Sequence, residues 1–240
     1  MQVFLALAVL LGALFYGISD FLQAMEPANF IFDPEQLHTL SEICVQNHGN
    51  DTKAMVSSIV GQLRQDHSLA PYLSQDEEWI FNNAGGAMGA MYLIHASKSP
   101  PSQHTRPHLL GRSSDVHSSG ITEYLIIFGA PLGTEGHTGR HTATDYFNIL
   151  TGTQKAFAAG SFEPEIYPPG SVHVLPRGQV KQYKMDDGCF ALEYARGFIP
   201  GMLLFGYGDG LTSTFDLPTL WRTTWVTGWE MVANLGKGKI

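Results

Sequence analysis

Short segments in which apolar residues alternate with other residues constrain the fold of this chain most. Four of them stand out: Met91–Ser97, Glu123–Gly129, Thr144–Gly152 and Cys189–Gly197. Alternate side chains of a strand share a face, which predicts these sets: Met91, Leu93 and His95; Tyr124, Ile126 and Phe128; Asp145, Phe147 and Ile149; Cys189, Ala191 and Glu193. Because glycine and proline turn signals separate the segments, the pattern predicts an antiparallel barrel or sandwich.

Two of these faces carry a carboxylate among apolar residues, at Asp145 and Glu193. Burial disfavours the charged form of a carboxyl group, so the pKa of each should rise. Two such groups close together cannot both ionise readily, and one would hold a proton at neutral pH. The pair could move protons on an apolar substrate or bind a cationic amine. Alternatively, each carboxylate accepts hydrogen bonds from backbone donors at a barrel rim.

Helices are predicted before the strand region. Asp33 followed by Pro34 is typical of a helix start, with an N-cap and a proline in the first turn. Apolar residues then recur at helical spacing in two groups: Leu37, Leu40, Ile43 and Cys44, and Val56, Ile59, Val60 and Leu63. Both helical stretches are predicted to pack on the core.

Tryptophans recur every four residues near the C-terminus, at Trp221, Trp225 and Trp229. This spacing places them on one face of a helix. A core-facing aromatic ridge would show the same pattern, but we prefer a helix in the membrane interface, where tryptophan is enriched.

An uncharged apolar segment, Val3–Ile18, lies near the N-terminus. About 20 such residues span a bilayer, so the segment predicts a short transmembrane anchor rather than a cleaved signal peptide. Asp20, Glu26 and Asp33 follow it, and the first lysine is Lys53. This charge distribution favours a cytosolic N-terminus and a lumenal body.

Composition and motifs exclude several classes of function. The chain has 14 Lys and Arg against 22 Asp and Glu, a net charge of −8, which argues against a nucleic-acid partner. His137 and His141 bracket Gly139 in a predicted turn, so the helical spacing of paired metal ligands does not apply, and no metal site is predicted. Cys44 and Cys189 are interpreted as two buried thiols, although pairing in an oxidising lumen stays open.

Longer strings of the sequence resemble a known family. Trp79–Ser97, Thr122–His141, Asp145–Gln154 and Phe190–Gly210 resemble the C-8 sterol isomerases of fungi, to which the sigma receptor of animals is homologous. The resemblance extends to nearly the whole chain. It favours the isomerase branch, since the receptor has a tryptophan where Ala87 stands.

The resemblance implies an α+β fold. Residues 1–23 would form one transmembrane anchor. Residues 24–240 would form a lumenal, cupin-like antiparallel β-barrel flanked by helices, with C-terminal amphipathic helices against the endoplasmic-reticulum membrane and its lipid. Homologues form trimers, so a homo-oligomer is expected.

The resemblance also implies a reaction. Isomerases of this family move the sterol B-ring double bond from C8 to C7, fecosterol to episterol, in ergosterol synthesis, with no cofactor. An acid protonates C9, a cation develops at C8, and a base removes a C7 proton. Glu193 matches the family's essential glutamate, and Asp145 matches the second aspartate of its ADDYF motif. Amphiphilic amines are expected inhibitors, and the expected substrate-binding residues are Met91, Leu93, Tyr124, Ile126, Phe128, Phe147, Met185 and Leu203.

The sequence departs from the family in two places. Thr144 replaces the first aspartate of ADDYF and is predicted to face away from Asp145. Lys98–Gly120 is an atypical insertion between two predicted strands.

Glu123 and His137 match motif positions and are interpreted as structural. The alternatives to an isomerase are a non-catalytic, sigma-receptor-like binder of amphiphilic amines or sterols, and a metal-dependent cupin enzyme.

Overall fold

The computed structural model describes residues 9–10, 12–14, 16–17, 30–74, 78–95 and 122–225. The strands in these ranges are β1 Trp79–Ala84, β2 Ala87–His95, β3 Glu123–Ala130, β4 Thr134–His137, β5 Ala143–Thr151, β6 Gln154–Phe157, β7 Glu165–Tyr167, β8 Val172–Leu175, β9 Gln182–Met185 and β10 Cys189–Gly197. The helices are α1 Pro34–His48, α2 Thr52–Gln65, α3 Ile199–Asp209 and α4 Leu217–Thr223, with a 3₁₀ turn at Ala70–Tyr72 and a π-helical turn at Gly210–Thr214.

The strands form two antiparallel sheets. The larger has the order β1-β2-β3-β10-β5-β8, and the smaller has the order β4-β9-β6-β7. Strand β10 pairs with β3 on one side and with β5 on the other, so it is central to the larger sheet. The predicted combination of antiparallel sheets and flanking helices is confirmed.

The N-terminal helices cover one face of the six-stranded sheet. The Asp33 side chain caps α1 by accepting from the backbone N–H groups of Glu35 and Gln36, as the sequence predicts. The hydrophobic cluster on this face joins α1 and α2 to residues of β2, β3, β5 and β10: Leu37, Met55, Ile59, Leu63, Tyr92, Leu125, Ile127, Leu150, Leu192 and Tyr194. Burying such side chains contributes roughly 1.5–3 kcal/mol each, so this layer anchors the sheet.

Glu123 ties the chain segment before α1 to this face. It is fully buried, and its carboxylate accepts hydrogen bonds from the backbone N–H of Ile31 at 2.8 Å and of Phe32 at 3.4 Å. The Tyr194 hydroxyl donates a third hydrogen bond at 2.9 Å. These contacts support the structural interpretation of Glu123.

His95 lies on the opposite face from the one predicted. The pairing of β2 with β3 shifts between Leu93 and His95, and such a bulge reverses the side-chain alternation. His95 consequently packs edge-on against Phe32, and its Nδ1 lies 2.6 Å from the Tyr72 carbonyl oxygen. The prediction that it shares a face with Met91 and Leu93 is wrong.

The two cysteines are separate buried thiols. Cys44 belongs to the cluster under the helices, and Cys189 belongs to the cluster on the other face of the larger sheet. The interpretation as two buried thiols is confirmed.

Several predictions fall on chain outside the described residues. They concern most of the 1–23 anchor, the Lys98–Gly120 insertion and Trp229. Within the described part, no helix is both long enough and apolar enough to span a bilayer. Trp221 and Trp225 are 67% and 48% exposed with ring centroids 6.2 Å apart, so this part of the stripe does not face the core.

Candidate active site

A cavity lies between the two sheets and extends to the C-terminal helices. Its empty volume is about 1360 Å³, including its open mouth. The larger sheet contributes Phe81, Asn83, Met91, Tyr124, Ile126, Phe128, Asp145, Phe147, His173, Leu175 and Glu193. The smaller sheet contributes His137, Gln154 and Tyr183, and α3 contributes Ile199, Met202, Leu203 and Phe205. Most of this wall is apolar or aromatic, as in sites that bind largely apolar ligands.

Glu193 is buried at the centre of this wall. Strand β10 places it opposite Ile126 of β3 and Phe147 of β5. The Tyr124 hydroxyl donates a hydrogen bond to its Oε1. Burial raises the pKa of Glu193 to about 7, although the hydrogen bond from Tyr124 opposes the rise.

Asp145 is the diagonal cross-strand neighbour of Glu193. Asp145 pairs with Ala195, and Phe147 pairs with Glu193, so the Cα atoms of the two acidic residues lie about 7 Å apart, diagonally across the two strands. The buried Oδ1 of Asp145 has no hydrogen-bond partner among the described residues. Burial, and then the charge of Glu193, raise the pKa of Asp145 well above its ordinary value.

The two carboxyl groups therefore share a buried site, and burial favours a proton on them. The charged form of Glu193 is stabilised by Tyr124, whereas Oδ1 of Asp145 lacks a donor. A buried carboxylate oxygen without a donor is costly. The proton is therefore favoured on Asp145, although a hydrogen bond from the Tyr146 backbone opposes the rise in its pKa. The pair can present an acid and an anion to a ligand in the same cavity.

Six of the eight expected substrate-binding residues line the cavity: Met91, Tyr124, Ile126, Phe128, Phe147 and Leu203. Leu93 and Met185 are buried in the hydrophobic cluster that includes Ile126 and Phe128. They support the wall and do not form its surface.

The histidines of Gly133–His141 lie at the cavity, which the sequence analysis did not expect. His137 ends β4, and both His137 and His141 line the wall. The Phe205 ring of α3 packs near both, with centroids 6.3 Å from His137 and 5.5 Å from His141. At Gly85, φ is +65°, and a side chain there would collide with Phe205 and the His137 carbonyl, so only glycine permits this close packing.

Polar residues of β6 and β8 were missed by the sequence analysis. Gln154 and His173 are buried and line the cavity. Alternation in β8 does not reveal His173, because it groups Val172 with Val174, whereas the structure buries the face of His173 and Leu175. No signal marks Gln154 either, which begins a short strand.

Thr144 faces away from the cavity, as its position next to Asp145 predicts. Its hydroxyl accepts a hydrogen bond from the Arg177 backbone N–H at 3.3 Å. The missing family aspartate would therefore lie outside the cavity in this chain. Among the described residues, no group of three histidines, cysteines or carboxylates has the arrangement of a metal site.

Comparison with known proteins agrees with the resemblance in the sequence. A profile of the family described as "ERG2 and Sigma1 receptor like protein" matches residues 7–99 and 110–239, and the gap lies inside the predicted insertion. The chain is similar to the C-8 sterol isomerase of Neurospora crassa, with 57% identity over 96% of this chain and 81% of that protein.

Two more distant similarities were found. Sigma non-opioid intracellular receptor 1 of Xenopus tropicalis is 33% identical over 83% of this chain and 79% of the receptor. A solved cupin of Shewanella frigidimarina covers 52% of this chain and 89% of its own, with 11% identity and a TM-score of 0.35. On the sequence matches, the chain belongs to the family of ERG2 and Sigma1 receptor like proteins.

Proposed function

We propose that this chain is a sterol isomerase that moves the B-ring double bond from C8 to C7. The observation that carries the proposal is the pair of buried carboxyl groups, Asp145 and Glu193, in an otherwise apolar cavity. Relatives named C-8 sterol isomerase, 52–58% identical to this chain, support the choice of reaction.

The proposed mechanism assigns one proton transfer to each carboxyl group. An alkene is a weak base, so its protonation needs an acid kept neutral by its surroundings, and Asp145 meets this requirement. Asp145 gives its proton to C9, and the electron pair of the C8–C9 double bond forms the new C–H bond. The resulting cation at C8 lies near the Glu193 carboxylate, in a dry site where such stabilisation is strongest.

Glu193 then completes the reaction. It takes a proton from C7, and the electrons of that C–H bond form the C7–C8 double bond. Passing the proton from Glu193 back to its neighbour Asp145 restores the starting state. Atoms and charge balance without an added cofactor, and Tyr124 holds the Glu193 carboxylate in place through its hydrogen bond.

Sterol analysis tests the function directly. The chain is expressed in fungal cells that lack their own isomerase, and extracted sterols are separated and identified. We expect Δ8 sterols to be converted to Δ7 sterols. Persistence of Δ8 sterols in cells that contain well-folded protein would contradict the isomerase proposal.

The alternative is a non-catalytic binder of amphiphilic amines, which the receptor relatives and the Glu193 carboxyl group at the cavity wall favour. This candidate predicts saturable amine binding by the purified chain without conversion of any Δ8 sterol. An isomerase inhibited by the same amines would show both binding and turnover, so the two measurements separate the candidates.

The cellular setting is part of the proposal. We infer an endoplasmic-reticulum membrane protein with one N-terminal span, a lumenal cupin-like barrel, contact with membrane lipid, and assembly as a trimer. Protease protection of microsomes and cross-linking of the detergent-solubilised chain test these points. Digestion of the domain in intact microsomes would contradict the lumenal location, and a monomer under all conditions would contradict the trimer.

A further inference from the structure

A chain of polar contacts leads from the outer part of the smaller sheet to the cavity wall. Glu165 forms an ion pair with Lys181, whose Nζ lies 2.5 Å from Oε2. The same Nζ lies 3.2 Å from Nε2 of His173. Nδ1 of His173 lies 2.8 Å from Oε1 of Gln154, which lines the cavity. The four side chains therefore form one continuous series.

The chemistry of Lys181 fixes the direction of every hydrogen bond from Lys181 to Gln154. A lysine ammonium group can only donate, so Nε2 of His173 accepts and the ring hydrogen lies on Nδ1. Nδ1 then donates to the carbonyl oxygen of Gln154. Burial and the adjacent Lys181 charge lower the pKa of His173 to about 4, which keeps this neutral form at physiological pH.

This arrangement leaves the amide nitrogen of Gln154 available. Its oxygen is held by His173, and the nitrogen has no hydrogen-bond partner recorded among the residues that the structure describes. Gln154 is only 3% exposed and lines the cavity, so a ligand in the cavity can supply an acceptor for this nitrogen. The structure thus holds an oriented, unused donor at the cavity wall.

The donor lies at a distance from the carboxyl pair that suits a fused-ring ligand. Phe147 pairs with Glu193 on one side and with His173 on the other. His173 is therefore two strands from Glu193, roughly 10 Å along the sheet. In a sterol, the reacting B-ring carbons and the hydroxyl group at C3 lie in adjoining rings, so one molecule can reach both places.

We propose that the Gln154 amide donates a hydrogen bond to the 3-hydroxyl oxygen of the sterol. His173, Lys181 and Glu165 are positioning residues that orient this amide. The inference rests on the proposed function, because it identifies the group that sets which way round the sterol lies. With the A ring held at Gln154, the hydrocarbon tail points towards the apolar residues of α3.

Binding measurements on the full-length wild-type chain test the donor first. The probes are a Δ8 sterol with a 3-hydroxyl group, its 3-ketone and its 3-deoxy analogue, titrated into purified protein in detergent. We expect the hydroxyl and ketone forms to bind about tenfold more tightly than the deoxy form. A ketone that binds as weakly as the deoxy sterol, or a wild-type ratio near one, would overturn the proposal.

Variants then identify the residue. Gln154→Leu and Gln154→Glu should both bring the ketone-to-deoxy affinity ratio close to one, while binding of the deoxy sterol stays within about twofold. The ketone is the deciding probe because it can only accept a hydrogen bond, whereas the 3-hydroxyl could donate one to the new carboxylate. Gln154→Glu keeps an acceptor for His173, so it decides the matter if Gln154→Leu folds poorly. Lys181→Met should lower the ratio only in part, because it removes the constraint on His173 but leaves the donor.

Lys155→Gln is the matched control. Lys155 is the next residue of the same strand, and its side chain pairs with Asp186 outside the cavity. It should leave the affinity ratio unchanged. Equal loss of both affinities in the Gln154 variants would indicate a structural role and contradict the proposal. These measurements report binding and not turnover. Failure to isomerise would therefore contradict the proposed reaction, whereas the affinity ratios test the hydrogen bond from Gln154 independently.

Discussion

Two buried glutamates lie on opposite faces of the larger sheet, and each precedes a tyrosine. Glu123–Tyr124 belongs to β3 and Glu193–Tyr194 belongs to β10, its antiparallel neighbour. The Tyr124 hydroxyl donates to Glu193, and the Tyr194 hydroxyl donates to Glu123. The two pairs thus exchange hydrogen bonds in the same way on the two faces.

Their remaining surroundings give them different roles. Glu123 accepts two further hydrogen bonds, from the backbone N–H groups of Ile31 and Phe32, and is closed off from solvent. Glu193 faces the cavity together with Asp145, and the charge of Glu193 raises the pKa of Asp145. A buried carboxylate with a full set of donors holds the chain in place, whereas one that faces an open cavity can act on a ligand.

The largest expected effect is that of Glu193→Gln on turnover. Glutamine keeps the size of the side chain and an acceptor for Tyr124, but it cannot take a proton from C7. Conversion of the Δ8 sterol should fall at least about 1000-fold, measured as product per folded molecule. Glu123→Gln should keep turnover near the wild-type rate. A near-normal rate for Glu193→Gln would remove that residue from the mechanism.

Glu123→Ala should have the larger effect on stability. It leaves the Ile31 and Phe32 backbone N–H groups and the Tyr194 hydroxyl without their acceptor. The expected loss is about 3 kcal/mol in the free energy of unfolding. Denaturant titration of both proteins in detergent measures it. An unchanged unfolding midpoint would show that these hydrogen bonds contribute little, and the contrast with Glu193 would then fail.

Stability should also depend on pH through Glu193. Its pKa rises from 4.5 to about 7 on folding, so the folded state binds the proton more tightly than the unfolded state. This contribution is fully present below pH 4.5 and is lost as pH rises through 7. At pH 8, Glu193→Gln should therefore be more stable than wild type by about 3 kcal/mol in the free energy of unfolding. This difference should disappear near pH 4.5. A stability difference between the two proteins that stays the same from pH 4.5 to pH 8 would contradict the raised pKa.

Thr144→Asp should have the smallest effect. It restores the aspartate of the family motif, but on the face of β5 that carries the contact with Arg177 and not the cavity. Turnover should stay within about twofold of wild type. An increase of tenfold or more would show that a carboxylate on this outer face takes part in the reaction, which the comparison of the two faces does not allow.

The sequence by itself determined the features that depend on neighbouring positions. Alternation predicts the faces of the strands, the Asp33–Pro34 pair predicts the start of α1, and the isolated acidic residues predict buried carboxyl groups at Asp145 and Glu193. These follow from the geometry of one strand or helix at a time. The identity of the family also came from strings of the sequence.

Only the tertiary structure decided which residues meet across strands. A bulge, which alternation cannot reveal, turns His95 to the helix side. Sheet pairing makes Glu123 a structural acceptor and leaves Glu193 at the cavity, although both stand before tyrosine in similar strands. Gln154 and His173 come together because distant strands pack around one cavity. Pairing and register join residues far apart in the chain, so no local period contains that information.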